Sequence, residues 1–390
     1  MQTVTLQEHG RVVTDVVSAE NAHQLRTKFA RQITITPAWE RDGSYELTAQ
    51  RHVGTIVLDG LRIVIRPKLP VENLFFMLSH AYDLPLFRNE QTTLTESDNL
   101  YRFVVEVFVQ QVAKLARQGV RRDYIEREVS RPYLRGRLLV EKQMRQPVTA
   151  QHHFQQRTND FSADILENQL LKRTLWLLAR ATSDDEPLRQ RIRRALAAFD
   201  AVQLRAVTPA DCDRVQFTRL NERYHRPIHL AQLLLQNLSI EAEVGTRPFA
   251  AFLLPMYQLF ELYVARFLSW ELASHPTLAV RIQPEIWLDS AENERGIPDI
   301  IITRNGEPTL VIDTKYKPFT GRMVESDRYQ LYTYCSVMGV ERGLLLYAGE
   351  SAEPHTTQMR DVRLSAVSLA LDGSAEQLAQ RTRSIISQLE

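Results

Sequence analysis

Short apolar runs rich in β-branched residues dominate the first part of the chain. They predict strands at residues 4–6, 33–35, 45–48, 54–58 and 61–65. Asp59 and Gly60 separate the last two runs and predict a tight hairpin turn. Prolines 67 and 70 should end the sheet, because proline has no amide hydrogen for a β-ladder. We therefore expect a β-rich amino-terminal domain over residues 1–95, built as a small barrel or sandwich.

Apolar residues at helical spacing replace this pattern in the middle of the chain. Asn73 is expected to cap the first helix and Gly119 to end the second. We expect a mainly helical region over residues 96–248 that also contains a basic hairpin segment. The helix predicted at residues 74–82 lies before this region, and the helices predicted within it span residues 97–118, 164–181, 186–199 and 221–237.

The hairpin segment, residues 121–145, carries eight arginines and lysines against four acidic residues. Tyr124 and Tyr133 are interleaved with these basic side chains. Such a surface could contact phosphate groups, meet an acidic partner, or simply be a solvated face. The pattern alone leaves all three readings open.

Helix and strand patterns alternate in the last part of the chain. Apolar runs at residues 300–303 and 310–314 flank Asn305-Gly306, the dipeptide most typical of a two-residue hairpin. The order of helix, hairpin, helix and strand is typical of an α/β core, which we expect over residues 249–390. The flanking predicted elements are helices at 256–271 and 375–389, a helix carrying Gln330, and strands at 280–282 and 343–347.

The predicted hairpin brings candidate catalytic residues together. Side chains alternate along a strand, so Asp313 and Lys315 point to the same side, and the neighbouring strand places Asp299 close to Asp313. Two carboxylates favour Mg²⁺ or Mn²⁺, and a nearby lysine can orient water and stabilise charge on a phosphate. We therefore predict phosphodiester hydrolysis with Asp299 and Asp313 as metal ligands. The alternative is a solvated strand edge protected by charge.

These residues also form a known arrangement. Pro298-Asp299 followed by Asp313-Thr314-Lys315 resembles the signature of the PD-(D/E)xK nuclease superfamily. That resemblance implies a restriction-endonuclease-like fold for the last domain.

Three further residues extend this resemblance. Gln330 and Tyr334 form a Gln-x-x-x-Tyr pair that resembles the additional motif of RecB-like members. Glu261 stands where such nucleases often carry an acidic residue on a helix. The resemblance implies that all three belong to the catalytic site.

Composition limits the class of protein. The 390 residues fit two or three domains, and 44% apolar with 24% charged residues is typical of a soluble globular chain. The polar amino terminus and the absence of a long apolar run predict a cytoplasmic protein with no membrane partner. Cys212 and Cys335 form no zinc or disulfide pattern, and Pro227 separates His225 from His229, so we reject zinc. No phosphate-binding Gly-rich loop occurs, so a partner would supply any nucleotide hydrolysis.

The chain as a whole resembles the McrC family, the nuclease subunits of McrBC modification-dependent restriction systems. That resemblance implies that the amino-terminal part engages an McrB-like ring of AAA+ GTPase subunits and stimulates its hydrolysis, while the last domain cuts DNA. The partner would recognise methylcytosine in the DNA. The resemblance rests on Ile65-Arg66-Pro67-Lys68-Leu69 with Asn73-Leu74, on Leu134-Arg135-Gly136-Arg137-Leu138, on Leu220-Asn221-Glu222-Arg223-Tyr224, and on the nuclease motif.

Stimulation of a partner GTPase requires basic groups near the transferred phosphoryl. The candidates are Arg121, Arg122, Arg135 and Arg137. Two other functions stay open: a stand-alone RecB-like DNA nuclease, and a non-cleaving activator whose nuclease fold is a scaffold. The intact Asp299, Asp313 and Lys315 argue against the activator, and the long region before the nuclease motif argues against the stand-alone enzyme.

Overall fold

The computed structural model describes residues 1–39, 43–83, 100–145, 152–182, 185–241, 249–350 and 353–386. The chain is a mixed α/β protein that divides into two compact units. Residues 1–99 and 253–390 form the first unit, and residues 100–252 form the second. The first and last of the three predicted segments therefore share one unit, and the second unit is an insertion between them. No helix in these described ranges is both long enough and apolar enough to cross a membrane.

The amino-terminal part of the first unit contains two sheets. Its elements are β1 (Gln2–Gln7), β2 (Arg11–Thr14), α1 (Ala19–Lys28), β3 (Ile33–Pro37), β4 (Tyr45–Ala49), β5 (His52–Leu58), β6 (Leu61–Arg66) and α2 (Val71–Ala81). Strand β6 pairs with β1 in parallel and with β5 antiparallel, while β4 pairs with β2 and β3. The predicted strands are confirmed. Helix α1 was not predicted, because it buries few apolar side chains, chiefly Ala22 and Leu25.

Helix α2 begins earlier than its pattern predicts. Pro70 occupies the N-cap position and the helix starts at Val71, so the prediction that Asn73 caps it is wrong. Asn73 is fully buried, and its Nδ2 donates hydrogen bonds to the carbonyl oxygens of Leu371 at 2.7 Å and Gly373 at 3.0 Å. The amide therefore joins two distant parts of the first unit.

The second unit contains the predicted helices and a small sheet. Its elements are α3 (Leu100–Arg117), β7 (Asp123–Arg131), β8 (Arg137–Leu138), α4 (Val140–Met144), β9 (Phe154–Ser162), α5 (Leu166–Ala181), α6 (Glu186–Ala197), α7 (Ala210–Asp213), α8 (His225–Asn237) and β10 (Leu238–Glu241). Strand β11 (Phe249–Pro255) pairs with β10 and leads back into the first unit. A short 3-10 turn at Glu222–Tyr224 precedes α8, so Pro227 lies in the first helical turn, where proline is tolerated.

The basic segment is not a local hairpin. Strand β7 pairs antiparallel with β9 along its whole length, and β8 pairs with β9 as well. The partner strand therefore lies beyond residue 145. Strand β9 was not predicted, because its sequence Phe-Gln-Gln-Arg-Thr-Asn-Asp-Phe-Ser lacks an apolar alternation.

The carboxy-terminal part of the first unit is built on a six-stranded sheet. Its elements are α9 (Met256–Glu271), β12 (Leu278–Ile282), β13 (Ile286–Trp287), β14 (Arg295–Gly296), β15 (Ile300–Arg304), β16 (Glu307–Lys315), α10 (Glu325–Met338), β17 (Arg342–Ala348), β18 (His355–Met359), β19 (Val362–Leu369) and α11 (Ala375–Ile386). The strand order is β12-β15-β16-β17-β19-β18, with β16, β17 and β19 parallel. The separate β13 and β14 pair with each other.

The hairpin between β15 and β16 is confirmed. Asn305 and Gly306 adopt φ angles of 53° and 92°, as a type I′ turn requires. The middle of β16 is buried at Leu310, Val311 and Ile312, so this strand is anchored in the core. Its last three residues carry the polar side chains of the predicted site.

Candidate active site

The structure brings all six predicted site residues together at the end of β16. Asp313 and Lys315 belong to this strand, and Asp299 directly precedes the adjacent β15. Helix α9 contributes one acidic residue, and α10 contributes the remaining two side chains. Those three residues are Glu261, Gln330 and Tyr334.

Asp299 is fixed by the residue between the other two motif positions. Its Oδ2 accepts one hydrogen bond from the amide of Thr314 at 2.7 Å and a second from the Thr314 hydroxyl at 2.7 Å. Ile300 pairs with Ile312 across the hairpin, which sets this register. Thr314 was not predicted as a site residue, although its place inside the motif is the available signal.

Lys315 connects the strand to α10. Its Nζ lies 2.5 Å from Oδ2 of Asp313, whose exposed fraction is 2%. The same Nζ donates to Oε1 of Gln330 at 3.0 Å, and Nε2 of Gln330 donates to the Tyr334 hydroxyl at 3.2 Å. The Gln-x-x-x-Tyr pair therefore orients the lysine through one amide group.

Glu261 approaches the site from α9. Its Oε1 accepts a hydrogen bond from the side-chain Nε2 of Gln283. The backbone amide of Gln283 donates to the backbone carbonyl oxygen of Asp299 at 2.9 Å. Gln283 has a φ angle of 45°, which is uncommon for a residue with a side chain. Nothing in the sequence marks Gln283 as a site residue.

The acidic groups destabilise one another's charged forms. Burial and the negative charge of Asp299 raise the pKa of Glu261 to about 7, and burial and Asp299 raise the pKa of Asp313 to about 6. Burial also raises the pKa of Asp299, although hydrogen bonds from Thr314 oppose this. Burial lowers the pKa of Lys315, but the carboxylates of Asp313, Asp327 and Asp299 together outweigh burial, so the net shift is upward. Three acidic side chains therefore share one site with Lys315, which lies between Asp313 and α10.

The donor set fits a hard divalent cation. Carboxylate oxygens are the ligands that Mg²⁺ and Mn²⁺ prefer, and such an ion would relieve the repulsion between Asp299, Asp313 and Glu261. Within the described residues, no three histidine, cysteine, aspartate or glutamate side chains are already arranged as a ligand set. In the structure, the ammonium group of Lys315 contacts Oδ2 of Asp313.

A further buried acid supports α10. Oδ2 of Asp327 lies 2.6 Å from Nζ of Lys317 and accepts a hydrogen bond from the Tyr347 hydroxyl at 2.9 Å. Asp327 is in the first turn of α10, one turn before Gln330. Its contacts hold the helix against the region around β16 and β17. The sequence signals only an acidic residue in a first helical turn, which is common at any helix.

The four candidate arginines lie in the second unit and differ in their surroundings. Arg121 is held by ion pairs with Glu167, at 2.6 Å, and with Asp123. Arg122, Arg135 and Arg137 are exposed. The structure therefore separates one arginine with internal carboxylate partners from three at the surface.

The loop that carries Arg135 is held by hydrogen bonds between its backbone and the Gln156 side chain. Oε1 of the buried Gln156 accepts hydrogen bonds from the amides of Arg135, at 2.6 Å, and Gly136, at 2.8 Å. A Cβ at Gly136 would lie 2.1 Å from the carbonyl oxygen of Arg157, so only glycine fits there. These contacts explain the glycine in the Leu-Arg-Gly-Arg-Leu segment.

The same small sheet exposes large apolar side chains. Tyr124 on β7 and Phe161 on β9 lie side by side, with ring centroids 5.2 Å apart. In and around β7, β8, β9 and α4, the large apolar residues exposed by more than half are Tyr124, Tyr133, Leu134, Val140, Met144 and Phe161. We call these six residues the apolar face. Exposed aromatic and apolar side chains are typical of protein interaction sites.

Comparison with known proteins agrees with the resemblance found in the sequence. A family model described as McrBC 5-methylcytosine restriction system component matches residues 47–348. A curated relative, the type IV methyl-directed restriction enzyme EcoKMcrBC of Escherichia coli strain K12, is 23% identical over 327 residues, covering 78% of this chain and 94% of the relative.

One solved structure agrees at the level of fold. It is a refined half-complex from a tetradecameric assembly of Thermococcus gammatolerans McrB AAA+ hexamers with bound McrC. A chain in it is 21% identical, with a TM-score of 0.58 and 100% of both chains covered. A chain in the cryo-EM structure of the Thermococcus gammatolerans McrBC complex is 23% identical, with a TM-score of 0.47 and coverage of 71% of this chain and 90% of that one. Since the family model spans well over half of the sequence, this chain belongs to the family of McrBC 5-methylcytosine restriction system components.

Proposed function

We propose that this chain is the DNA endonuclease subunit of an McrBC-type modification-dependent restriction system, acting in the cytoplasm. The observation that carries the proposal is the convergence of Asp299, Asp313 and Lys315 at the end of β16. A lysine beside one buried and one half-buried carboxylate is an arrangement that suits metal-assisted phosphodiester hydrolysis. The six-stranded sheet flanked by α9 and α10 is the PD-(D/E)xK-type core on which we place this chemistry.

Each residue has a proposed role in the reaction. Asp299 and Asp313 would hold Mg²⁺ or Mn²⁺, which supplies Lewis-acid polarisation of a phosphate oxygen when bound. Lys315 orients the attacking water and stabilises the negative charge that develops on the phosphate. Gln330, itself oriented by Tyr334, directs the lysine. Glu261 contributes a third carboxyl next to Asp299.

We further propose that the chain works with an McrB-like AAA+ GTPase ring, which recognises methylcytosine DNA. The support is the family membership, the fold shared with a chain from McrB hexamers with bound McrC, and the absence of a phosphate-binding loop in this sequence. The apolar face and the exposed arginines of the second unit are the surface we assign to the ring. Arg122, Arg135 and Arg137 are available there to affect the partner's hydrolysis, whereas Arg121 has carboxylate partners within its own unit.

One reconstituted assay tests this proposal. The full chain is combined with its McrB-type partner and incubated with methylated or unmethylated DNA, with or without Mg²⁺ and GTP. We expect cleavage only when partner, GTP, Mg²⁺ and methylation are all present, and none with Asp313→Asn. Cleavage with Mg²⁺ alone would identify a stand-alone nuclease. Stimulated GTP hydrolysis without cleavage under any condition would identify a non-cleaving activator.

A further inference from the structure

A buried acid from the start of the chain reaches the candidate active site. Glu8 follows β1, and its amide donates to the carbonyl oxygen of Arg66 at 2.8 Å, so its backbone is anchored beside β6. Its side chain is completely buried. Oε2 of Glu8 accepts a hydrogen bond from the hydroxyl of Tyr316 at 3.0 Å. The hydrogen bond therefore links β1 to the catalytic strand.

Tyr316 is placed to affect two motif residues at once. It directly follows Lys315, the last residue of β16. Its ring centroid lies 6.0 Å from that of Phe260, which is fully buried and directly precedes Glu261 on α9. The tyrosine therefore packs between the end of β16 and the helix that supplies the third acid. A shift of the Tyr316 ring would therefore disturb the residue that follows Lys315 and, through Phe260, the residue that precedes Glu261.

The environment of Glu8 is unfavourable for a structural carboxyl. Burial raises its pKa to about 7, although Tyr316, Lys68 and Arg51 lower it. Within the described part of the chain, its Oε1 has no hydrogen-bond partner, and Nε2 of His9 is 3.8 Å away. A buried polar atom left without a hydrogen bond typically costs about 1–3 kcal/mol. The cost of burying Glu8 is partly offset by its hydrogen bonds to the Tyr316 hydroxyl and to the Lys68 backbone.

Several contacts restrain the chain that follows Lys315, and farther along Phe319 stacks on Tyr347 with ring centroids 5.0 Å apart. The amide of Lys317 donates to the carbonyl oxygen of Lys315 at 2.8 Å, which forms a turn and no ladder. The ion pair between Lys317 and Asp327 fixes the far side of this turn. The Glu8 hydrogen bond fixes the near side, at the residue next to Lys315.

We infer that Glu8 and Tyr316 are positioning residues for the nuclease reaction: their hydrogen bond holds the end of β16 so that Lys315 reaches Asp313 and Gln330. The role in the reaction rests on the proposed function, whereas the restraint on β16 does not. The amino-terminal strand is thereby part of the machinery that aligns the cleavage site. Neither residue touches the reacting groups.

Four variants of the full chain test the inference. Tyr316→Phe and Glu8→Leu each remove the hydrogen bond and should lower kcat for DNA cleavage about tenfold without changing KM, since supporting contacts of this kind typically contribute 10- to 100-fold. Glu8→Gln keeps an acceptor and should retain near-normal kcat. Tyr101→Phe is the matched control, because it deletes a tyrosine hydroxyl that bonds to Thr182 at 3.2 Å in the other unit. Combining Tyr316→Phe with Glu8→Leu should cost no more than either change alone.

Amide hydrogen exchange measures the restraint on β16 directly and does not depend on DNA cleavage. Amides 313–317 should exchange faster in Tyr316→Phe and Glu8→Leu, but not in Glu8→Gln or Tyr101→Phe. Normal kcat or unchanged exchange in Tyr316→Phe would overturn the inference, and so would an equal loss in all four variants. A wild-type chain that never cleaves DNA would refute the proposed function instead, and the exchange rates would then decide whether the hydrogen bond holds β16.

Discussion

The ammonium nitrogen of Lys315 lies 2.5 Å from Oδ2 of Asp313, two residues earlier on the same strand. Because Asp313 is almost completely buried, this ion pair supplies the positive charge that its carboxylate needs. A divalent cation at the site would approach the same carboxylate. Lysine and the proposed metal would therefore compete for one group, and variants of Lys315 and Asp313 should separate their roles.

Lys315→Gln should slow cleavage by about 10²–10³-fold, because it removes the cation that stabilises charge on the phosphate. Mn²⁺ should still bind, and bind at least as tightly, since the competing ammonium is gone and lysine has no acceptor for a metal. Single-turnover cleavage and a calorimetric Mn²⁺ titration measure the two effects. Loss of Mn²⁺ binding in this variant, with binding retained in Asp313→Asn, would reverse the roles assigned here.

Asp313→Asn should abolish cleavage and metal binding while the fold persists. In the wild-type chain, Mg²⁺ at 100 times its Kd should stabilise the folded state by about 2.7 kcal/mol. In the variant this stabilisation should vanish, which thermal unfolding with and without Mg²⁺ can measure. Glu307→Gln, an exposed carboxyl at the start of the same strand, is the control and should keep the response to Mg²⁺. An Asp313→Asn chain with normal cleavage would refute the metal-ligand role.

Tyr334→Phe should lower kcat about tenfold, because the Gln330 amide would lose the acceptor that turns its Oε1 towards Lys315. Gln330→Ala should cost at least as much, since it removes the contact to the lysine itself. Combining the two changes should add little to Gln330→Ala alone, as expected for residues acting in series. Fully additive losses, measured as kcat in the reconstituted assay, would show that Tyr334 acts by another route.

The free energy of unfolding of the metal-free chain should depend on pH because the pKa of Glu261 is raised in the folded state. Its pKa in the folded state is about 7, well above the value of 4.5 expected when unfolded. Folding therefore takes up a proton, so this contribution is fully present below pH 4.5 and is lost as the pH rises through 7. Chemical unfolding at several pH values should show a steeper fall for the wild type than for Glu261→Gln between these limits. Parallel curves would contradict the raised pKa.

Exposed and internally paired arginines of the second unit should behave differently. Arg135→Glu with Arg137→Glu should weaken stimulation of the partner GTPase while leaving the melting temperature unchanged. Arg121→Ala should instead destabilise the chain by about 1–3 kcal/mol, because the largely buried Glu167 would lose its cation. Steady-state GTP hydrolysis and thermal unfolding measure the two outcomes. Normal stimulation by the double variant would exclude these two arginines.

Local signals in the sequence were enough to locate the central hairpin and its polar residues. Asn305-Gly306 determines the turn, strand alternation places Asp313 and Lys315 on one side, and both features follow from neighbours in the sequence. The positions of Gln330 and Tyr334 likewise follow from one turn of a helix. Their roles in catalysis stay predictions.

Contacts between distant segments could not be read from the sequence. Glu261 bonds to Gln283, and Glu8 bonds to Tyr316. Both contacts depend on how separate elements pack. Asn73 shows the same limit, because asparagine before an apolar stripe is a common cap but here serves a tertiary contact. Tertiary packing overrides local preference wherever a buried polar group must find a partner.

The division of the chain also imposes an order during protein synthesis. Residues 1–99 leave the ribosome first, yet residues 253–390 complete their unit. Until those later residues emerge, the buried amide of Asn73 lacks its carbonyl partners and the carboxyl of Glu8 lacks its hydroxyl. Because domains generally fold as units during translation, an unfinished nascent chain cannot contain the assembled candidate active site. Under the proposed function, the capacity to cut DNA therefore arises only after residues 253–390 have been made, and the inserted unit delays that step.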